Sequence, residues 1–331
     1  MMWKLYIPDG EQDILADAAR LKRETENAMI EVFRHGGFEE IVTPALEFYD
    51  SFSGQRDIIP EENMMKLVDG EGRILVLRPD LTVPCARVAA TKLRDVRPLK
   101  FFYCQNVFRS KKERYLDLKE ITQAGCEIIG DPRPDADAEI IATAIESLLK
   151  AGLKDFTVEL GQVNYFKGLM NETELPFAEK DRLRHLIDKK DFLGLEQRVD
   201  EDRLSGDLKK ALTELPALYG DVSLLKGLRQ YRFGAKAKDA IENLSEVVAN
   251  VAKAGYGPYL AVDLGMVSEL SYYTGVIFQG FAPGFGTPIL SGGRYDHLVE
   301  KFGEPTAATG FSVNVDFLLD ILGNREEGNA E

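Results

Sequence analysis

The segment Gln123-Ala124-Gly125-Cys126-Glu127 alternates hydrogen-bonding side chains (Gln123, Glu127) with small apolar ones (Ala124, Cys126). On a strand, that alternation places Gln123, Gly125 and Glu127 on one face. If the face is interior, its amide and carboxylate need partners, which a ligand bearing an amine or imidazole would supply; if it faces outward, water does so. Arg109 lies fourteen residues upstream and ends the run Cys104-Gln105-Asn106-Val107-Phe108. It suits the carboxylate or phosphate of a ligand, or equally an acidic neighbour within the fold. Ser271-Tyr272-Tyr273-Thr274-Gly275 joins two phenols to a turn, as packing groups or as hydrogen-bonding ones. Gly292-Gly293-Arg294-Tyr295-Asp296 sets glycines beside an arginine. No Gly-Lys-Ser/Thr follows it and no Gly-x-Gly-x-x-Gly opens a helix, so neither nucleotide fingerprint is met, and a turn or close backbone approach is the plain alternative. Lys111-Lys112-Glu113-Arg114 reads as a solvated loop.

The elements that must position these groups follow from periodicity. Ile14, Ala18, Leu21, Ala28, Val32 and Phe33 give a helix over 13–35, stopped by Gly36-Gly37. Phe38 to Pro44 runs extended. Residues 74–78, 99–109, 122–129 and 156–160 are strand-like, and 138–150 carries a helix with one apolar face. Consecutive strands without crossover helices predict an antiparallel sheet. The charged stretch 171–254 predicts a helical insertion. Strand character returns at 259–263, 272–281 and 287–290, and a last helix begins near Val315. The spacing therefore divides the chain into a core at 1–170, the insertion at 171–254, a second core segment at 255–322 and a disordered tail at 323–331.

Composition narrows the function classes. With 331 residues, 44% hydrophobic and 29% charged, the chain has room for two or three structural units. No apolar run reaches the roughly 20 residues of a membrane span, and the N-terminus lacks the features of a signal peptide. The net charge of −14 opposes general nucleic-acid binding. Cys85, Cys104 and Cys126 form no Cys-x-x-Cys and fit a reducing cytoplasm, while three scattered histidines make a metal cluster unexpected.

Taken together, the motifs resemble the histidyl-tRNA synthetases, which are class II aminoacyl-tRNA synthetases. Phe108-Arg109 followed by Gln123 and Gly125-Cys126-Glu127 resembles their motif 2. The helix at 13–35 with Phe38–Pro44 resembles the dimer-forming motif 1. Arg78-Pro79-Asp80-Leu81-Thr82 is similar to the Arg-Pro-Glu-x-Thr segment, Leu270–Gly275 to a histidine-specific motif, and Gly292–Asp296 to the Gly-Gly-Arg-Tyr-Asp strand. The resemblance spans about residues 8 to 322. It implies an α+β fold, an antiparallel sheet flanked by helices, and a histidine pocket. In that pocket Asp80, Thr82 and Gln123 would hold the α-amino group, Glu127 and Tyr273 the imidazole, Arg109 the carboxylate, and Tyr295 a wall.

The nucleotide half departs from the pattern. Phe317 stands where motif 3 carries an arginine that clamps an ATP phosphate, and Ser268 replaces the arginine of Arg-Gly-Leu-Asp-Tyr-Tyr. Lys111 occupies a glutamate position and Asp117 an arginine position, and an aspartate beside a triphosphate repels it. No anticodon-binding domain is expected after residue 322. These departures resemble the regulatory subunits of ATP phosphoribosyltransferase, a paralogous branch serving histidine biosynthesis. That resemblance implies a non-catalytic, cytoplasmic, allosteric subunit without cofactors. Its partners would be a short-form catalytic subunit, a second copy of itself and L-histidine, but not tRNA or a membrane. A degenerate histidyl-adenylate-forming ligase, or an amino-acid-sensing module with another partner, are the alternatives.

Overall fold

The computed structural model describes residues 5–53, 59–110, 117–202, 204, 206–228, 234–267 and 272–328. Helix α1 (Ala16–His35) ends as its glycines dictate: the Gly36 N–H bonds back to Val32, and Gly37 takes φ 77°, a left-handed geometry that side chains resist. It turns Met29, Val32 and Phe33 inward, where Phe33 meets Phe102 and Phe311 with ring centroids 5.7 and 6.0 Å away. Next come β1 (Glu39–Glu40) and a small antiparallel sheet of β2 (Leu46–Phe48), β3 (Lys66–Val68) and β4 (Ile74–Leu77). Helix α2 (Thr82–Thr91), which periodicity did not reveal, follows.

Strands β5 (Leu99–Phe108) and β6 (Glu120–Ile129) pair antiparallel, with Tyr103 opposite Gly125 and Phe101 opposite Glu127. Helix α3 (Pro134–Lys150) starts four residues earlier than its apolar face suggests, because Pro134 fits the first turn and Asp135 and Asp137 complement the helix N-terminus. After β7 (Thr157–Gln162) comes a largely helical stretch. It comprises α4 (Val163–Asn171), α5 (Phe177–Asp188), α6 (Phe192–Glu201), α7 (Gly206–Glu214), the two-residue β8 (Tyr219–Gly220), α8 (Leu224–Leu228) and α9 (Ala235–Lys253). The chain closes with β9 (Leu260–Asp263), β10 (Val276–Phe281), β11 (Leu290–Arg294), β12 (Ala308–Asn314) and α10 (Val315–Gly328).

Among the described residues the main sheet has nine strands in the order β1-β5-β6-β12-β11-β10-β7-β9-β8. It is mixed rather than wholly antiparallel: β1 and β5 pair parallel, as do β7 and β9. The helices between β7 and β9 supply the long crossover that a parallel pair requires. One sheet face carries Ala124, Cys126, Val158, Leu160, Phe278, Phe311 and Val313 into the main core with α1, α3 and α9. Across register, the other face carries Gln123, Gly125 and Glu127 beside Asn314, Ser312 and Gly310, then Ser291 and Gly293. A second apolar cluster, with Leu81, Val83, Cys85 and Ala86 of the α2 region, Tyr103, Ile277 and Tyr295, covers that polar face.

Three expectations need correction. Tyr272–Gly275 lie outside β10, since the chain turns there while the Thr274 N–H and hydroxyl both bond to the Arg294 carbonyl. Strand β11 begins at Leu290, where the sequence-based strand ends, and includes the glycine pair read as a turn. Those glycines are in a strand because neighbours crowd them: a Cβ on Gly292 would overlap the Gly310 carbonyl and the Phe278 ring. Helix α10 carries the backbone to Gly328, into the stretch expected as a disordered tail; residues 329–331 lie outside the described ones.

Candidate functional site

Glu127 is the centre of the polar sheet face. It is 1% exposed and accepts three hydroxyl hydrogen bonds. Thr82 Oγ1 donates to Oε1 at 2.9 Å, Tyr103 to the same oxygen at 3.1 Å, and the Tyr295 hydroxyl meets Oε2. Burial, only partly offset by these hydroxyls, pushes its pKa up to about 8, and the neighbouring Asp80 carboxylate adds to the rise. The same burial raises the Tyr103 and Tyr295 phenols well above their ordinary value. Two glycines make room for this carboxyl. A Cβ on Gly310 would overlap Glu127 Oε2, and one on Gly125 would overlap the Phe311 carbonyl and crowd the Tyr103 hydroxyl.

Beside Glu127 lies a cavity of 110 Å³ lined by Asp80, Thr82, Tyr272, Tyr273, Tyr295, Ser291 and Ser312, with Gly292, Gly310 and Phe311. Asp80 and Thr82 reach it because α2 starts there: Asp80 Oδ1 accepts from the Val83 N–H at 2.9 Å, fixing the turn. Desolvation raises the Asp80 pKa, while Arg109 and local N–H groups oppose the rise. Tyr272 stacks on Tyr295 at 5.5 Å between centroids and 9° between planes, and Tyr273 packs at 4.6 Å from Tyr272. The cavity thus offers one carboxylate, several hydroxyls and an aromatic wall. That set suits a small amino acid with a polar planar side chain.

Of the residues expected from the sequence, Asp80, Thr82, Tyr273 and Tyr295 come together around the cavity. Glu127 stands behind Thr82 and Tyr295 rather than in the lining. Gln123 is 8% exposed, and its buried Oε1 has no hydrogen-bond partner, an acceptor suited to an incoming ammonium. Arg109 is not a lining residue. Its Nε points at the Pro79 carbonyl at 3.5 Å and its charge acts on Asp80, so it sits at the turn that presents Asp80.

Sequence reasoning missed four lining or supporting groups. Tyr103, Ser291 and Ser312 belong to strands that meet this face only through sheet pairing, and Tyr272 was not assigned to the pocket. Arg294 is not a phosphate ligand. It is buried, with Nε on both Asp137 oxygens at 3.1 Å, and its other nitrogens reach the Asp131 and Arg133 carbonyls and Asp296. It anchors β11 to the start of α3, next to Tyr295.

On the nucleotide side, Phe317 is 5% exposed in the main core and meets Phe285 edge-on at 5.3 Å and 62°. Its N–H is capped by Asn314 Oδ1 at 3.1 Å. Asp117 is exposed and lines a groove between α1 and α10. Lys111 and Ser268 lie outside the described residues.

The histidyl-tRNA synthetase family model matches residues 10–318. An ATP phosphoribosyltransferase regulatory subunit from Acetivibrio thermocellus is 48% identical over 321 residues, 97% of this chain and 77% of that one. A namesake from Ruminiclostridium cellulolyticum is 45% identical over the same length. The chain belongs to the ATP phosphoribosyltransferase regulatory subunit family. A solved family member, described as a regulatory subunit/histidyl-tRNA synthetase from Bacillus halodurans, superposes with TM-score 0.89 at 35% identity, covering 97% of this chain and 83% of that one. Histidyl-tRNA synthetase from Nostoc, at 20% identity and TM-score 0.81 over 97% of this chain and 76% of that one, shares the fold. This chain has an apolar ring, Phe317, where the synthetase resemblance places a phosphate-clamping arginine.

Proposed function

We propose that this chain is a non-catalytic regulatory subunit that binds a short-form ATP phosphoribosyltransferase and makes that enzyme responsive to L-histidine. One observation carries the reading: the polar cavity over Glu127 is intact, whereas Phe317 is folded into the apolar core and leaves no guanidinium for a phosphate at that position. Histidine would place its ammonium near Asp80, Thr82 and the unsatisfied Gln123 Oε1, its ring against Tyr273 and Tyr295 ahead of Glu127, and its carboxylate towards Arg109. Self-association through α1 and the strand after it is part of the proposal, supported by exposed Leu15, Val42, Leu46 and Phe48. A cytoplasmic location is supported by the three free cysteines. The acidic net charge weighs against tRNA as a partner.

The deciding assay is phosphoribosyl-ATP formation by the short catalytic subunit of the same organism, with and without this chain, across a histidine titration. The proposal expects the chain to alter activity and to confer histidine sensitivity. Identical activity and inhibition without it would overturn the proposal and make histidine-dependent ATP–pyrophosphate exchange the next measurement. Glu127→Ala is expected to abolish tight histidine binding in calorimetry; unchanged affinity would move the sensor out of this pocket.

A further inference from the structure

The carboxyl of Glu127 is buried and is not among the residues that line the cavity. Two lining hydroxyls bond to it, Thr82 on Oε1 and Tyr295 on Oε2, and the lining Gly310 packs against Oε2. Both phenols that contact it stay protonated at neutral pH, because burial raises them. The titratable groups around Glu127 are Asp80 and Cys85 from the α2 region, Tyr103 from β5, Cys126 beside it on β6 and Tyr295 after β11, with Tyr272 behind Tyr295, while Gly310 of β12 packs against Oε2. Arg109 acts on Asp80, one step removed. The titratable neighbours of Glu127 are thus acids, thiols or phenols, and Asp80 disfavours its anion.

Such an arrangement fixes how the pocket can meet a ring nitrogen. With Glu127 neutral, its O–H can donate to Tyr295 Oη, which frees the Tyr295 proton to point into the cavity. With Glu127 ionised, Tyr295 must donate to Oε2, and only its lone pairs face the cavity. We propose that Glu127 and Tyr295 form a proton relay that admits a basic heteroaromatic ring, such as imidazole, together with one proton shared between carboxyl and ring. The Glu127 proton passes to Tyr295 Oη as the Tyr295 proton passes to the ring nitrogen. The neutral acid and neutral ring thereby become a carboxylate and a ring cation, with protons and charge conserved. This inference rests on the histidine-pocket reading and adds that binding is proton-linked.

The pH profile follows from counting protons. Below about 6.5 a free imidazole is charged and the pair holds two protons. Above about 8, where Glu127 ionises in the empty site, the pair holds none. Affinity is therefore greatest between these limits and falls by up to about tenfold per pH unit on either side. The test is calorimetric titration of L-histidine into the full chain at pH 7 and pH 9, in buffers of different ionisation enthalpy, for wild type, Glu127→Gln and Tyr295→Phe. Both variants keep side-chain volume, and titration of the ligand's own amino group is common to all three. The expected result is uptake of up to one more proton at pH 9 by wild type than by either variant. Equal uptake in all three overturns the relay while leaving the histidine pocket standing. Absence of histidine binding to wild type at both pH values overturns the pocket reading itself. If Glu127→Gln fails to fold, Tyr295→Phe, which retains the ring stacked on Tyr272, decides the point.

Discussion

Phe317→Arg would put back the side chain that the synthetase pattern calls for, and the structure says what it would do. The Phe317 ring is 5% exposed, lies in the main core and meets Phe285 edge-on. Removing a buried phenylalanine costs about 3–5 kcal/mol in lost burial and cavity. The Phe285 contact adds about 0.5–1.5 kcal/mol as an aromatic pair. A guanidinium in the same place would also be desolvated, a further cost of several kcal/mol unless it is paired or expelled. Set against a typical total stability of roughly 5–15 kcal/mol, the variant should be severely destabilised or should rearrange the start of α10. Phe317→Leu, which keeps apolar character, should cost much less, about 1–2 kcal/mol. Urea unfolding followed by circular dichroism measures both, with ATP titration of each variant alongside. A Phe317→Arg chain as stable as wild type that also binds ATP would refute the reasoning, since the position would then face the nucleotide half of the site.

Further expectations concern the pocket and its supports. Gly310→Ala should displace Glu127, because the added methyl overlaps Oε2; histidine affinity should fall at least tenfold by calorimetry, with destabilisation of about 1–3 kcal/mol from overpacking. Asp137→Ala should cost about 3–5 kcal/mol in urea unfolding, since it removes the buried carboxylate from Arg294 and leaves it only the more exposed Asp296. Stability itself should depend on pH through Glu127. The unfolded carboxyl loses its proton near 4.5 and the folded one holds it to about 8, so the folded chain binds more protons in that window and stability falls as pH rises through it. Glu127→Gln should flatten that dependence, measured as unfolding free energy at pH 5.5 and 8, by no more than about 1.4 kcal/mol per pH unit.

Residue types and short spacings determined much of this protein. The Gly36-Gly37 stop, the strands at 99–109 and 122–129, the alternating polar face at Gln123 to Glu127 and the apolar residue at 317 are local statements, and the chain carries them in order. Read through the resemblance to the histidyl-tRNA synthetases, those patterns were enough for the fold class and to name Asp80, Thr82, Tyr273 and Tyr295, which line one cavity. Only the tertiary structure decided the rest, because it depends on contacts between distant segments. Pairing of β5 with β6 set Tyr103 opposite Gly125 and so within reach of Glu127. Pairing of β11 and β12 brought Ser291 opposite Ser312, lining the cavity. Strand β11 absorbed a glycine pair that looks like a turn in isolation. The motif leaves the role of Arg294 open, and burial against Asp137 makes it an anchor. The hydroxyls that surround the Glu127 carboxyl are likewise not a property of residues 123–127. They include those of Thr82 and Tyr295, which are 45 and 168 residues away along the chain and in hydrogen-bond contact in the fold.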